Sequence, residues 1–248
     1  MRYSETTLES IGQLVEALNG WSTVDVLWFR GQSNKDWKLV PSLFRHTRGM
    51  AGEAAMIKLF KQQSRPHLRD MPVTEWEWLF LMQHHRLPTR LLDWTQSPLV
   101  GLYFALYDKE ERHAADDAAL WFLDPVALTR NAGIRRLFPR ELLAFDVDPA
   151  LTSYLPNEIN QNAPAFPVAA IGPRNSPRMV AQAGTFTITH AEPTPVEEVG
   201  DKSHVWRMII PASAKPELRK ELDLLGVTED LMFPDLDRVA QAAIRLLA

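Results

Sequence analysis

No cysteine occurs in the 248 residues, which excludes disulfides, thiolate nucleophiles and thiolate-held zinc. A chain of this kind suits a reducing compartment, and the cytoplasm is the expected location. No apolar stretch approaches the roughly 20 residues a membrane helix needs, and the opening MRYSETTLESIGQ has no apolar signal core. A soluble protein with no membrane partner is expected. Basic charge is not in excess: 27 Lys and Arg against 31 Asp and Glu give a formal charge of −4 and a pI near 6.0. That is the wrong sign for a protein whose main work is coating nucleic acid or an anionic membrane. The H-E-x-x-H pattern, a Gly-rich phosphate loop and a nucleophile elbow are also missing. His84 and His85 are adjacent and point apart on a helix or strand, so no metal site is expected.

The chain is 46% hydrophobic, enough for one large core. Of its basic residues 19 are Arg, a side chain suited to bidentate recognition of phosphate or carboxylate and equally to salt bridges. Thr6 and Glu9 have capping-box spacing, and Leu8, Ile11, Val15 and Leu18 recur at helical intervals up to Asn19-Gly20. VDVLWFR (24–30) alternates as a strand with Arg30 ending an apolar face. Residues 52–63 read as a helix with Met56, Leu59 and Phe60 as its buried stripe. Thr74 and Glu77 form a second capping box, and Ser97-Pro98 reads as N-cap and first turn of a helix through Tyr107.

LPTRLLDWT, AALWFLD (118–124), GTFTITH and HVWRMIIP read as extended segments. Six prolines between Pro149 and Pro177 predict a long irregular loop. Two helices are expected in the tail, one capped at Ser213 and stopped at Gly226, the other carrying Leu236, Val239, Ala243, Ile244 and Leu247. Strands and helices without a regular βαβ beat predict an α+β fold: a single unit with its core over about residues 20–212 and C-terminal helices over 213–248.

Polar residues stand in three places where packing alone favours none. In Phe29-Arg30-Gly31-Gln32 a guanidinium ends an apolar strand face and Gly31 lets a ligand approach the backbone; the alternative is a core-edge Arg paired with a carboxylate such as Asp93. QHHRLPTRLLDWTQSP gathers Gln83, His84, His85, Arg90, Asp93 and Thr95. Between Leu92 and Trp94, Asp93 is expected to be buried and held as an acceptor. In RMVAQAGTFTI, Arg178 and Gln182 share a face if the segment is a strand.

These motifs, with LMFPDLDRVAQ near the end, strongly resemble the FRG domain, a bacterial family, from about Val24 onward. One departure is Arg86, where the family typically has Gly. The motif order is also similar, more distantly, to the mono-ADP-ribosyltransferase core. That likeness implies a split sheet with flanking helices and a C-terminal helical appendage. It implies that Arg30 contacts NAD, that Thr95 with Asp93 braces the site, and that a Glu before the Gly-Thr-Phe strand engages the nicotinamide ribose. Arg178 stands in the place of that Glu, and Glu158 is the single acid between Asp148 and Gly184.

The resemblance implies Arg30, Asp93 and Gln182 as catalytic candidates, and Arg30, Gly31, Gln32, His84, Arg90, Thr95 and Arg178 as nucleotide contacts. It implies transfer of ADP-ribose to a macromolecular target or cleavage of NAD, in a bacterial toxin or antiphage effector. Loss of the Glu keeps a second reading open: a non-enzymatic module that holds a nucleotide or nucleic-acid end among Arg30, Arg90 and Arg178.

Overall fold

The computed structural model describes residues 2–108, 112–134, 141–160, 165–174 and 176–234, together with Ala240 and Ile244. Apart from Ile244, the expected C-terminal stripe lies outside these residues. The fold is α+β, built on one mixed eight-stranded sheet.

The first half contains β1 (Thr6–Thr7), α1 (Ile11–Gly20), β2 (Trp28–Gln32), α2 (Gly49–Ser64), α3 (Glu75–His84), β3 (Leu91–Thr95) and α4 (Pro98–Leu106). The second contains β4 (Ala118–Leu123), α5 (Pro125–Asn131), β5 (Leu143–Ala144), β6 (Val168–Ile171), α6 (Pro177–Ala181), β7 (Gly184–Ile188), β8 (Val205–Ile210), α7 (Lys215–Leu224) and α8 (Glu229–Met232). The strand order is β1-β8-β4-β2-β3-β7-β6-β5, antiparallel except for the parallel outer pairs β1·β8 and β5·β6. Among the described residues no helix is long and apolar enough to cross a membrane.

Local signals place the helices that flank the centre. α3 begins at a complete capping box: Thr74 accepts from the Glu77 N–H while the Glu77 carboxylate accepts from the Thr74 N–H. Ser97 caps α4 by accepting from the Val100 N–H, and Pro98 occupies its first position, where a missing N–H costs nothing.

Where partners are distant in sequence, expectations fail. Thr6 lies in β1, opposite Met208 of β8, and α1 is capped by Ser10. β2 begins only at Trp28, so Val24 and Val26 precede it. α2 turns Glu53, Ile57 and Phe60 inward and leaves Leu59 54% exposed, because Glu53 is drawn to Arg90. Ser213 sits in a 3-10 turn before α7 and caps nothing. The proline-rich stretch holds a 3-10 turn at Pro149–Tyr154 and the buried strand β6.

Three packed clusters hold the sheet. On one face α1, α4 and α7 cover β2, β4 and β8, with Phe122 in contact with both Phe29 and Trp206. On the other end α3 covers β3, β6 and β7 through Trp76, Leu79 and Phe80. The third cluster joins both halves: Trp28 and Trp121 meet Leu92, Trp94 and Ala169.

α4 lies on β2 at backbone distance. A Cβ on Gly31 would stand 2.0 Å from the Ala105 nitrogen and 2.2 Å from the Gly101 carbonyl oxygen, and one on Gly101 would stand 2.7 Å from the Phe29 Cβ. Two glycines facing each other therefore let strand and helix touch.

Candidate functional site

The sheet is weakest at its centre. β2 pairs with β4 over five residues and β3 with β7 over five, but β2 and β3 meet at the single pair Phe29↔Thr95. Beyond that pair a cavity of about 740 Å³ opens, lined by Phe29, Arg30, Gly31 and Gln32 of β2 and by Asp93, Trp94 and Thr95 of β3. Successive strand residues point to opposite faces, so a cavity touched by consecutive residues of both strands lies between the strands rather than above the sheet. Phe80, Phe104 and Phe186 from α3, α4 and β7, with Tyr107 just after α4, provide aromatic walls.

Arg30 spans the gap. Its Nη1 donates to the main-chain carbonyl of Asp93 at 2.6 Å, while its Nε is buried with no partner among the described residues. Burial draws the guanidinium down to about 10, with the Asp93 carboxylate opposing, so it stays charged at neutral pH.

Asp93 corrects an expectation. It is exposed toward the cavity rather than buried, and Arg30 takes its carbonyl rather than its carboxylate. Leu92 and Trp94 fill the packed face of β3, which leaves Asp93 facing the opening where β2 has diverged. Asp93 Oδ2 accepts from Gln83 Nε2 at 2.8 Å. Gln83 Oε1 in turn accepts from the Thr89 hydroxyl, whose oxygen accepts from the Leu91 N–H at 3.1 Å.

Two further guanidinium groups face the cavity. Arg178 lies 5.1 Å from the centre of the Phe233 ring, a cation–π contact, and Arg45 comes from the turn after β2. Burial lowers the pKa of both. Among the described residues no carboxylate lies within ion-pair distance of Arg30, Arg45 or Arg178. The other acids on the wall are Glu77, engaged in its capping box, and the exposed Asp70. His84 stands at the rim, its pKa lowered by burial, Arg178 and His85.

Other candidates are committed elsewhere. Arg90 does not line the cavity: it is fully buried, paired with Glu53 through Nε at 2.9 Å and through Nη2, and its Nη1 donates to the Thr189 and His190 carbonyls. Gly31 makes room for α4 rather than for a ligand. Gln32 accepts from Trp121 Nε1 at 2.8 Å and donates to the Lys38 carbonyl at 3.4 Å.

Thr95 touches the cavity, but its hydroxyl donates to the Gln182 carbonyl at 2.6 Å and accepts from the Ser97 N–H at 3.0 Å. The Gln182 side chain donates to the Met232 carbonyl at 2.9 Å and so fastens α8. Arg178 and Gln182 lie on and just after the short helix α6, not on a strand; four residues apart, they still meet one wall. Among the described residues no group of three His, Asp or Glu side chains is disposed to hold a metal.

Sequence reasoning assigned no role to Gln83, though it stands in the polar run before β3, and it missed Arg45, whose loop carries no local signal. No curated protein and no solved structure matches the chain. Residues 25–114 match the FRG domain family, and Arg30, Arg45, Gln83 and Asp93 all stand inside that segment.

Proposed function

We propose that the cavity binds a nucleotide carrying a pyrophosphate, with NAD as the substrate, and that Asp93 assists cleavage of the bond between nicotinamide and ribose. The observation that carries this reading is the trio Arg30, Arg45 and Arg178, which face one aromatic-walled cavity and, among the described residues, have no carboxylate within ion-pair distance. The volume is in the range of ligand sites. Uncompensated guanidinium groups are costly unless an anion completes them, and aromatic walls suit a base or nicotinamide ring. The divergence of β2 from β3 at one register pair is compatible with the split sheet of the ADP-ribosyltransferase-like fold.

In this reading the arginines hold the phosphates. As the C1′–N bond breaks, its electron pair passes to nicotinamide, which leaves neutral, and positive charge develops on the ribose. The Asp93 carboxylate stabilises that charge in place of the Glu whose position Arg178 occupies. Water or a target side chain then attacks C1′ and releases a proton. In a bacterial cell such chemistry is that of a toxin or defence effector.

A second reading, binding without turnover, is favoured by the commitment of Gln182 and Thr95 to structural bonds. Calorimetric titration with NAD and with ADP-ribose tests both. Affinity should fall by about tenfold or more in Arg30→Ala and in Arg45→Ala and weaken as salt rises. A flat titration of the wild type contradicts nucleotide binding.

A further inference from the structure

Resting on that nucleotide reading, we infer that Gln83 is a positioning residue that aims the Asp93 carboxylate at a ligand hydroxyl. The orientation of a carboxamide follows from its hydrogen-bond partners, and here they leave one choice. The Asp93 carboxylate can only accept, so the NH2 end of Gln83 faces its Oδ2, which it meets at 2.8 Å. That turns Oε1 toward Thr89, whose hydroxyl donates to it while its oxygen accepts from the Leu91 N–H at 3.1 Å. Gln83 sits in the last turn of α3, whose first turn is fixed by the capping box, so the donor is held by a helix rather than by a loop.

Oδ2 is thereby engaged, and among the described residues no donor reaches Oδ1, which is left for an incoming one. The cations around Asp93 are Arg30 from β2 and Arg178 from α6, with Arg45 beside Arg30 and Arg86 just after α3; His84, beside Gln83 on α3, is titratable with its pKa lowered by burial. A carboxylate among cations accepts a neutral hydroxyl while the cations take phosphate. The ligand class is therefore a phosphorylated ribosyl compound, and loss of a ribose hydroxyl should weaken binding.

Titration of NAD into wild type and variants between pH 5 and pH 8 tests this. Gln83→Glu sets two carboxylates face to face. One must hold a proton for the pair to coexist, so affinity relative to wild type should fall by about tenfold or more at pH 8 and recover toward pH 5. Gln83→Ala should lose affinity at every pH. Thr89→Ser, which keeps the hydroxyl, should bind as wild type does, and Thr89→Val should not; this pair decides the matter if Gln83→Glu fails to fold. Wild-type binding of NAD with Gln83→Glu and Thr89→Val equally tight at every pH would overturn the positioning role and leave the nucleotide reading intact. A wild type that binds no NAD overturns both.

Discussion

Arg90 and Arg30 differ in how their charge is balanced, and their substitutions should differ accordingly. Arg90 is enclosed with Glu53 and two carbonyls, so Arg90→Ala strands a buried carboxylate. A stability loss of about 3–5 kcal/mol in urea denaturation is expected, and replacing both partners by apolar residues should recover most of it. Among the described residues Arg30 has one carbonyl partner and a buried, unpartnered Nε. Arg30→Ala should melt at or slightly above the wild-type temperature, since desolvation without a carboxylate is relieved; a loss as large as that of Arg90→Ala would show Arg30 to be a structural residue. Arg86 adopts φ of +63°, a left-handed conformation that glycine takes without penalty. Arg86→Gly should raise stability by about 1 kcal/mol, read from the same denaturation curves.

At the scale of elements, the contact of α4 with β2 determines whether the cavity keeps its shape. Gly31→Ala drives a methyl group into the Ala105 nitrogen and the Gly101 carbonyl. Since neither backbone can yield cheaply, a loss exceeding about 3 kcal/mol, or an insoluble product, is expected. A soluble variant with near wild-type stability would mean that α4 does not pack as described.

The elements legible in the sequence are those whose signals are local. Thr74 with Glu77, and Ser97 followed by Pro98, mark the starts of α3 and α4, because a cap is made within a single turn. The inward face of α2 was not legible, since it is set by an ion pair to Arg90, 37 residues away. β5 and β6 were hidden by prolines around strands of two and four residues, whose pairing is supplied by distant partners. Arg30 and Asp93 stood out because each interrupts an apolar strand. That they flank a gap could not be read, because it depends on the register of β2 with β4 and of β3 with β7.

Across the whole molecule, two histidines that do not line the cavity are enclosed. His190 and His204 are 1% and 0% exposed, and burial lowers both below the ordinary value of 6.5. The unfolded chain binds protons at these sites before the folded one does. Their contribution is therefore complete above about pH 6.5 and is lost as pH falls from there toward the folded-state values. Urea midpoints measured from pH 8 to pH 5 should decline, and less steeply in His204→Gln if that variant folds; midpoints independent of pH would contradict the neutral, buried state of both rings.

The cavity combines three guanidinium groups, the Asp93 carboxylate held by Gln83 and aromatic walls in the gap of a sheet, the combination that we propose consumes NAD. The most direct measurement is mass-spectrometric detection of nicotinamide released from NAD in the presence of a bacterial lysate, with wild type beside Arg30→Ala and Asp93→Asn. Release by the wild type that falls at least about a hundredfold in both variants is the expected result. Release equal in all three proteins, or none from a wild type shown to bind NAD in the same lysate, would contradict cleavage by this site.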